Sequence, residues 1–194
     1  MIPLGGIGSR FQKEGYAAPK PFVRILGREM ILWILDSLNP MVGDELVIVY
    51  NPNFMDCMEE LMRTIVLREY PKAIFVELNG PTRGAAETVL LGLQGMPERA
   101  RNRPVMIMDG DTFYENVDVI SMYRDIASTH GGCFVFNDTQ PQPIYSYCRL
   151  QQNAGADEIV EIREKVKISD WANSGCYCFR DGNVLAGLEK KSPC

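Results

Sequence analysis

Short apolar runs alternate along this chain with longer stretches in which apolar residues recur at helical spacing. Met1–Leu4 reads as a strand that runs straight into a glycine-rich loop. Over Glu29–Leu38, the residues Met30, Ile31, Ile34, Leu35 and Leu38 fall on one side of a helix, which Asn39-Pro40 stops. Glu45–Tyr50 is a continuous apolar run, the mark of a strand covered on both faces. Asn53–Glu69 predicts the next helix, with Phe54, Met58, Leu61, Met62 and Ile65 inward and Pro71 behind it. Ala73–Leu78 is strand, Gly84–Gln94 a helix opening from a turn, and Pro104–Met108 another buried strand ending at Asp109-Gly110-Asp111. Val117–Thr129 is helical and Cys133–Phe136 a strand.

This β-α rhythm with short connections predicts an α/β fold: a mostly parallel open sheet flanked by helices, with right-handed crossovers. After Asn137 the pattern changes. Tyr145–Leu150, Glu158–Arg163 and Asn173–Phe179 are strand-like with no helix between them, which predicts an antiparallel portion, and Asp181–Lys190 is a closing helix. The whole chain, 1–194, reads as a single domain with a first part at 1–136 and a second at 137–194. No repeat or low-complexity linker interrupts it.

Composition narrows the classes. Apolar residues make up 46% and charged residues 23%, a globular mix without a run approaching the roughly 20 apolar residues of a membrane span. No basic stretch followed by an apolar core opens the chain, so a cytoplasmic protein without a membrane partner is expected. A net charge of −5 argues against nucleic acid as a partner, while leaving room for a basic pocket that takes small anions. The six cysteines (57, 133, 148, 176, 178 and 194) show no metal-type spacing with the single histidine, His130, and are expected as reduced core thiols. His130, before two glycines, is expected at a helix end in a capping or solvated role.

Four stretches carry candidate chemistry. In Leu4-Gly5-Gly6-Ile7-Gly8-Ser9-Arg10-Phe11, a strand stops at glycines that let backbone N–H groups approach phosphate oxygens. The dinucleotide fingerprint fails, because Phe11 stands where a third glycine is needed and Tyr50-Asn51 where an acid is needed. The ATPase loop fails for want of Gly-Lys-Ser. Arg10 can instead pair bidentately with a polyphosphate. Pro19-Lys20-Pro21 then pre-aims a second cation on an extended backbone, so that Arg10 and Lys20 converge on one triphosphate. Asp111 follows a buried strand, at the end where open α/β sheets bind ligands, and a carboxylate there suits Mg²⁺. Asp109 is placed behind it, and Gly110 is expected to let a nucleotide pass close. Finally, Glu161–Lys167 read as a strand sets Arg163, Lys165 and Lys167 on one face.

Together, Gly5-Gly6-x-Gly8-Ser9-Arg10-Phe11, Pro19-Lys20-Pro21 and Gly27 before a helix resemble the opening of the sugar-phosphate nucleotidyltransferases and their cytidylyltransferase cousins. Gly84-Ala85-Ala86-Glu87-Thr88 is similar to that family's base-recognising turn, and Asp109-Gly110-Asp111 sits where the family holds magnesium. Glu164-Lys165 and Asn173-Ser174-Gly175 resemble its acceptor-side motifs, so the resemblance spans nearly the whole chain. It implies a GT-A-like, Rossmann-like fold. It also implies a reaction of a nucleoside triphosphate with a small phosphorylated acceptor, a sugar 1-phosphate, that releases pyrophosphate with Mg²⁺ as cofactor. On that reading Arg10, Lys20, Asp111 and Lys165 are catalytic, and Leu4, Gly5, Gly6, Gly8, Ser9, Gly84, Ala85 and Gly110 bind the nucleotide. Glu164, Lys167, Asn173 and Gly175 bind the acceptor, and Asp111 with Asp109 holds the metal.

Two departures stand against the family pattern. A second magnesium-binding aspartate near the end of the catalytic domain has no clear match after Asp181, and Met1–Leu4 is short for a central strand. Truncation at one or both ends, fusion to a further domain, and a homo-oligomer all stay open. Two alternatives remain beside the sugar 1-phosphate reading: a cytidylyltransferase for a phospho-alcohol such as phosphocholine, and a non-catalytic nucleotide- or sugar-phosphate-binding module on the same fold.

Overall fold

The computed structural model describes residues 1–6, 8–126, 131–153 and 156–189, without the side chains of Ser9, Arg10, Asp125, Ile126, Ala156, Leu188 and Glu189. His130, Lys190 and Cys194 lie outside the described residues, as does the expected helical end at 127–129.

Three strands form the parallel part: β1 (Ile2–Leu4), β4 (Val47–Tyr50) and β5 (Ile74–Glu77), with β4 in the middle. All four residues of β4 are buried, which is why its sequence is an unbroken apolar run rather than an alternation. Val47 and Val49 pack on one face with Val89 and Leu93 of α5 (Ala85–Gly95) and Leu185 of α8 (Gly182–Glu189). Ile48 and Tyr50 pack on the other with Ile31, Ile34 and Leu35 of α2 (Met30–Ser37).

The antiparallel part holds β6 (Val105–Met108), β7 (Gly131–Asn137), β8 (Ser146–Asn153), β9 (Ala156–Glu164) and β10 (Trp171–Phe179). The expected combination of a parallel part flanked by helices with an antiparallel portion is present, but the division within it differs. Strand β10 pairs antiparallel with β6 and with β7. The returning chain therefore lies between two strands that the β-α rhythm placed in the parallel sheet. The two parts join through Met1, whose ammonium donates to the Met106 carbonyl at 2.7 Å and whose carbonyl accepts from the Met108 N–H at 3.0 Å. That is the bonding pattern of a parallel pair.

Local departures from the expected elements have local causes. Lys20 does not sit on an extended backbone. It opens a 3-10 turn, Lys20–Phe22, closed by Phe22 N–H to the Pro19 carbonyl and held by burial of Pro21 and Phe22. The short helix α1 (Ser9–Lys13) and the hairpin of β2 (Arg24–Ile25) and β3 (Arg28–Glu29) were not foreseen. That hairpin turns through Leu26 and Gly27, both at positive φ. The helix expected from Asn53 starts only at Met58, because the Asn51 side chain accepts the Asn53 N–H and caps a 3-10 turn over Pro52–Phe54. From there α3 (Met58–Leu61), one π turn (Met62–Val66) and α4 (Leu67–Glu69) run on. The widened turn keeps Met58, Met62 and Val66, four residues apart, on the core face. Phe54, Leu61 and Ile65 are only half-buried.

Cys148, Cys176 and Cys178 are buried free thiols, and Cys57 and Cys133 are half-buried ones. No described helix is long and apolar enough to cross a membrane. Leu35 is 1% exposed between α2 and the sheet. Leu35→Ala is expected to cost about 2–5 kcal/mol, read as a lower urea midpoint.

Candidate active site

The end of β1 and the end of β6 set the site. Where β1 stops, Gly5 lies so close to Thr88 of α5 that any Cβ would overlap its hydroxyl. Thr88 in turn bonds Thr82 at 2.7 Å and the Gly84 carbonyl at 3.2 Å. The turn before α5, with Gly84 and Ala85, is thereby fastened to the glycine loop. Gly6 and Gly84 have open space where a Cβ would stand. Gly8, at φ +61°, passes Lys20: an added Cβ would lie 3.3 Å from the Lys20 Cβ.

From that position Lys20 reaches across to the end of β6, and its Nζ donates to Asp111 Oδ2 at 2.5 Å. Both side chains are partly exposed. Gly8, Lys20 and Asp111, apart by up to 103 residues in the chain, thus meet at one place. Ser9 and Arg10 belong to α1 on the same loop, while their side chains lie outside the description.

Asp109 faces the antiparallel part. Its N–H donates to the Gly175 carbonyl at 2.9 Å, and a Cβ on Gly175 would overlap its carboxylate. The ladder between β10 and β7 shifts register between Asn173 and Tyr177, so Asn173-Ser174-Gly175 is a bulge, with Gly175 at φ +80°. Bulges re-aim side chains beside sites. Here the Asn173 Oδ1 accepts the Gly175 N–H at 2.7 Å, and its Nδ2, in a residue only 6% exposed, has no partner among the described residues. Burial and the neighbouring Asp111 charge push the Asp109 carboxyl up to about 6, against the pull of Lys20. Two carboxylates this close gain from a shared divalent cation, so the donor set fits Mg²⁺.

Below the bulge opens a cleft of about 810 Å³, lined by Asp109, Asp111, Asn173, Ser174 and Gly175 and by a wall of Phe113, Tyr114, Phe134, Phe136, Tyr145 and Tyr177. Tyr114 and Ser174 share a 2.7 Å hydrogen bond, and Phe136 and Tyr145 meet edge to face at 5.1 Å. Sequence reading missed this wall. Its residues come from four separated segments, and only the period-two spacing of Phe134 with Phe136 hinted at a shared strand face.

Three expectations are corrected by the geometry. Gly110 does not leave room for a nucleotide: the space of its missing Cβ is filled by the Leu4 side chain. Arg163, Lys165 and Lys167 do not share a strand face. Strand β9 ends at Glu164, and Lys165 turns off it at φ +53°. Lys167 does not point its ammonium into the cleft; it donates to the carbonyls of Asp138 and Gln140. Glu164 and Lys165 are exposed at the rim, 3.4 Å apart, with the Lys165 N–H on the Tyr145 carbonyl. The structure therefore gathers Leu4, Gly5, Gly8, Lys20, Asp109, Gly110, Asp111, Asn173 and Gly175, and leaves Glu164 and Lys165 beside the cleft.

A strand–glycine loop–helix unit facing an acid pair and an adjoining cleft is the arrangement of a nucleotide-dependent transferase. The profile of the nucleotidyl transferase family matches residues 1–193, and the chain belongs to that family: it is a nucleotidyltransferase. Its structure is similar to that of a nucleoside-diphosphate-sugar pyrophosphorylase from Vibrio cholerae RC9 (TM-score 0.79, 23% identity, covering 99% of this chain and 78% of the other). It is also similar to the inositol-1-phosphate CTP transferase from T. maritima (TM-score 0.69, 17% identity, 98% and 73%). At these identities the two likenesses speak for the fold alone. No sequence among curated proteins matches the chain.

Two outcomes follow from the acid pair and the bulge. The Asp109 carboxyl titrates near 6 in the fold, above the value of about 4 of an unfolded aspartate, so stability is lost as pH rises across that interval. Asp109→Asn is expected to melt higher than wild type at pH 8 in EDTA by about 1–2 kcal/mol, with the difference gone near pH 4. Gly175→Ala is expected to cost about 1–3 kcal/mol in a denaturation curve, from positive φ and the clash with Asp109, whereas Gly187→Ala, in open helical space, costs nothing.

Proposed function

We propose that the chain joins a nucleoside triphosphate to a small phosphorylated acceptor, a sugar 1-phosphate, and releases pyrophosphate. One observation carries this reading: Lys20 is brought from the glycine-loop side onto Asp111, at the mouth of a cleft large enough for the acceptor. An acceptor phosphate oxygen attacks the α-phosphorus, the bond from that phosphorus to the β-phosphate bridging oxygen breaks, and pyrophosphate leaves with the electron pair. The acceptor phosphate is already an anion, so no protein nucleophile is needed, and catalysis is positioning with charge neutralisation.

In this reading the backbone of Gly5, Gly6, Gly8 and Ser9 cradles the phosphates, and Gly84 and Ala85 seat the base. Leu4 and Gly110, packed on each other, hold the loop against β6. Arg10 offsets charge on the departing pyrophosphate and Lys20 on the α-phosphate. Asp111, with Asp109, would hold Mg²⁺, which supplies charge neutralisation at the phosphate oxygens when bound. Asn173 offers its Nδ2 donor and Gly175 its backbone to the acceptor, while Glu164 and Lys165 meet it at the rim. The donor part is the segment 1–136 and the acceptor part 137–194, with β7 laid against the latter. Free buried thiols suit a cytoplasmic setting.

The aromatic wall favours a second acceptor class. Phe113, Tyr114, Phe136 and Tyr145 line the cleft with aromatic rings, the side-chain type that holds a quaternary ammonium, as in a phospho-alcohol such as phosphocholine. A pyrophosphate-release screen of the common nucleoside triphosphates against sugar 1-phosphates and phosphocholine separates the two. One productive pair is expected, and Lys20→Ala and Arg10→Ala should each lower kcat/KM by about a hundred- to a thousandfold. Full turnover by Arg10→Ala with that pair, or binding without turnover by wild type, would overturn the reading.

A further inference from the structure

The Lys167 ammonium lies in a knot of partners drawn from three segments. It donates to the Asp138 carbonyl at 2.7 Å and the Gln140 carbonyl at 2.5 Å, pairs with Asp170 at 3.3 Å, and stands 5.7 Å over the Tyr147 ring. Asp138, 4% exposed, completes the knot. Its carboxylate accepts the Tyr147 hydroxyl at 2.6 Å and the Gln140 N–H at 3.0 Å, and its N–H donates to the Asp170 carbonyl at 2.8 Å.

This knot ties the connection between β7 and β8 to the turn between β9 and β10. The first of these segments carries one edge of the acceptor cleft and the second bonds to that edge. The β7–β8 connection ends at Ile144 and Tyr145, both of which line the cleft. The β9–β10 turn begins with Lys165, whose N–H is on the Tyr145 carbonyl at 2.8 Å. Lys165 holds a left-handed conformation at φ +53° without being glycine. Such a residue keeps its place only where surrounding contacts over-determine it. A polar anchor within two residues is Lys167, only 22% exposed, with two hydrogen bonds to backbone carbonyls and an ion pair to Asp170.

We infer that Lys167 is a positioning residue: its ammonium clamps the Asp138–Gln140 backbone to the Lys165–Asp170 turn and so sets where Tyr145 and Lys165 stand at the acceptor cleft. It touches neither substrate. The inference rests on the proposed nucleotidyl transfer for what the cleft accepts, but the clamp itself is readable without substrate.

The first measurement is amide hydrogen exchange on the ligand-free protein. Lys167→Met should speed exchange at Gln140 and Lys165 by about tenfold or more, with β1 and β4 unchanged, and Lys167→Arg should restore most of the protection. Unchanged exchange at both amides, or acceleration spread evenly over the fold, overturns the clamp. The second measurement uses the productive pair from the screen. Lys167→Met should raise the acceptor KM about ten- to a hundredfold and leave the nucleotide KM within about twofold. Asp138→Ala, which removes the other half of the knot, should do the same, and the double variant should be no worse than either single one. A defect in Lys167→Met that Asp138→Ala lacks would make Lys167 an acceptor contact and overturn the inference. If wild type turns over no pair, the proposed function falls while the exchange result still decides the clamp.

Discussion

Strand β6 is parallel to β1 on one side and antiparallel to β10 on the other, and the site exists because of that double pairing. A strand in a purely parallel sheet would end beside other strand ends and helix starts. Here the end of β6 meets the middle of β10, so the loop that leaves it, Asp109-Gly110-Asp111, has the glycine loop on one flank and the Asn173–Gly175 bulge on the other. The bulge lies where the two parts crowd. Only a glycine at position 175 lets β10 pass the Asp109 carboxylate, and its N–H bonds the Asn173 side chain. One packing constraint thereby joins the two halves of the molecule at the point where two substrates would meet.

Glycines in the site do different physical jobs despite looking alike in sequence. Gly5 and Gly110 are demanded by protein neighbours, Thr88 and Leu4, and serve to draw the loop, α5 and β6 together. Gly6 and Gly84 meet nothing within 4 Å of an added Cβ, so packing does not explain them. Gly8 is demanded by its backbone conformation and by the passing Lys20 stem. Packing and backbone conformation are therefore part of why the motif is glycine-rich.

Much of the fold was legible because burial writes it into periodicity. The four-residue run of β4, the helical stripe of α2 and the separate strands after Asn137 each correspond to an observed element. The meeting of Lys20 with Asp111 beside the glycine loop agrees with the placement expected for these residues. What failed depended on distant partners. Lys167 looks like one tooth of a basic strand face, yet its acceptors lie 27 and 29 residues earlier. The turn at Lys165 carries no glycine or asparagine to announce it. The insertion of β10 between β6 and β7 is a matter of strand order, which local pattern does not encode. The aromatic wall fails to show for the same reason, since no single segment supplies enough of it to stand out.

The charges at the mouth of the cleft explain why a net-acidic chain can still serve anionic substrates. Asp109 and Asp111 are near enough that burial and mutual repulsion hold the Asp109 proton up to about pH 6, while Lys20 relieves only part of this by resting on Asp111. Lys20 is thus held in place, and on the proposed reading an arriving phosphate would compete with Asp111 for it instead of having to order a free side chain. If Lys20 moves to a phosphate, Asp111 loses its cation beside a second acid, and that arrangement is stable only with another cation on the carboxylates. On the proposed reading the ion pair would therefore couple nucleotide and metal, because a phosphate that draws Lys20 away leaves two neighbouring carboxylates for a divalent cation to offset.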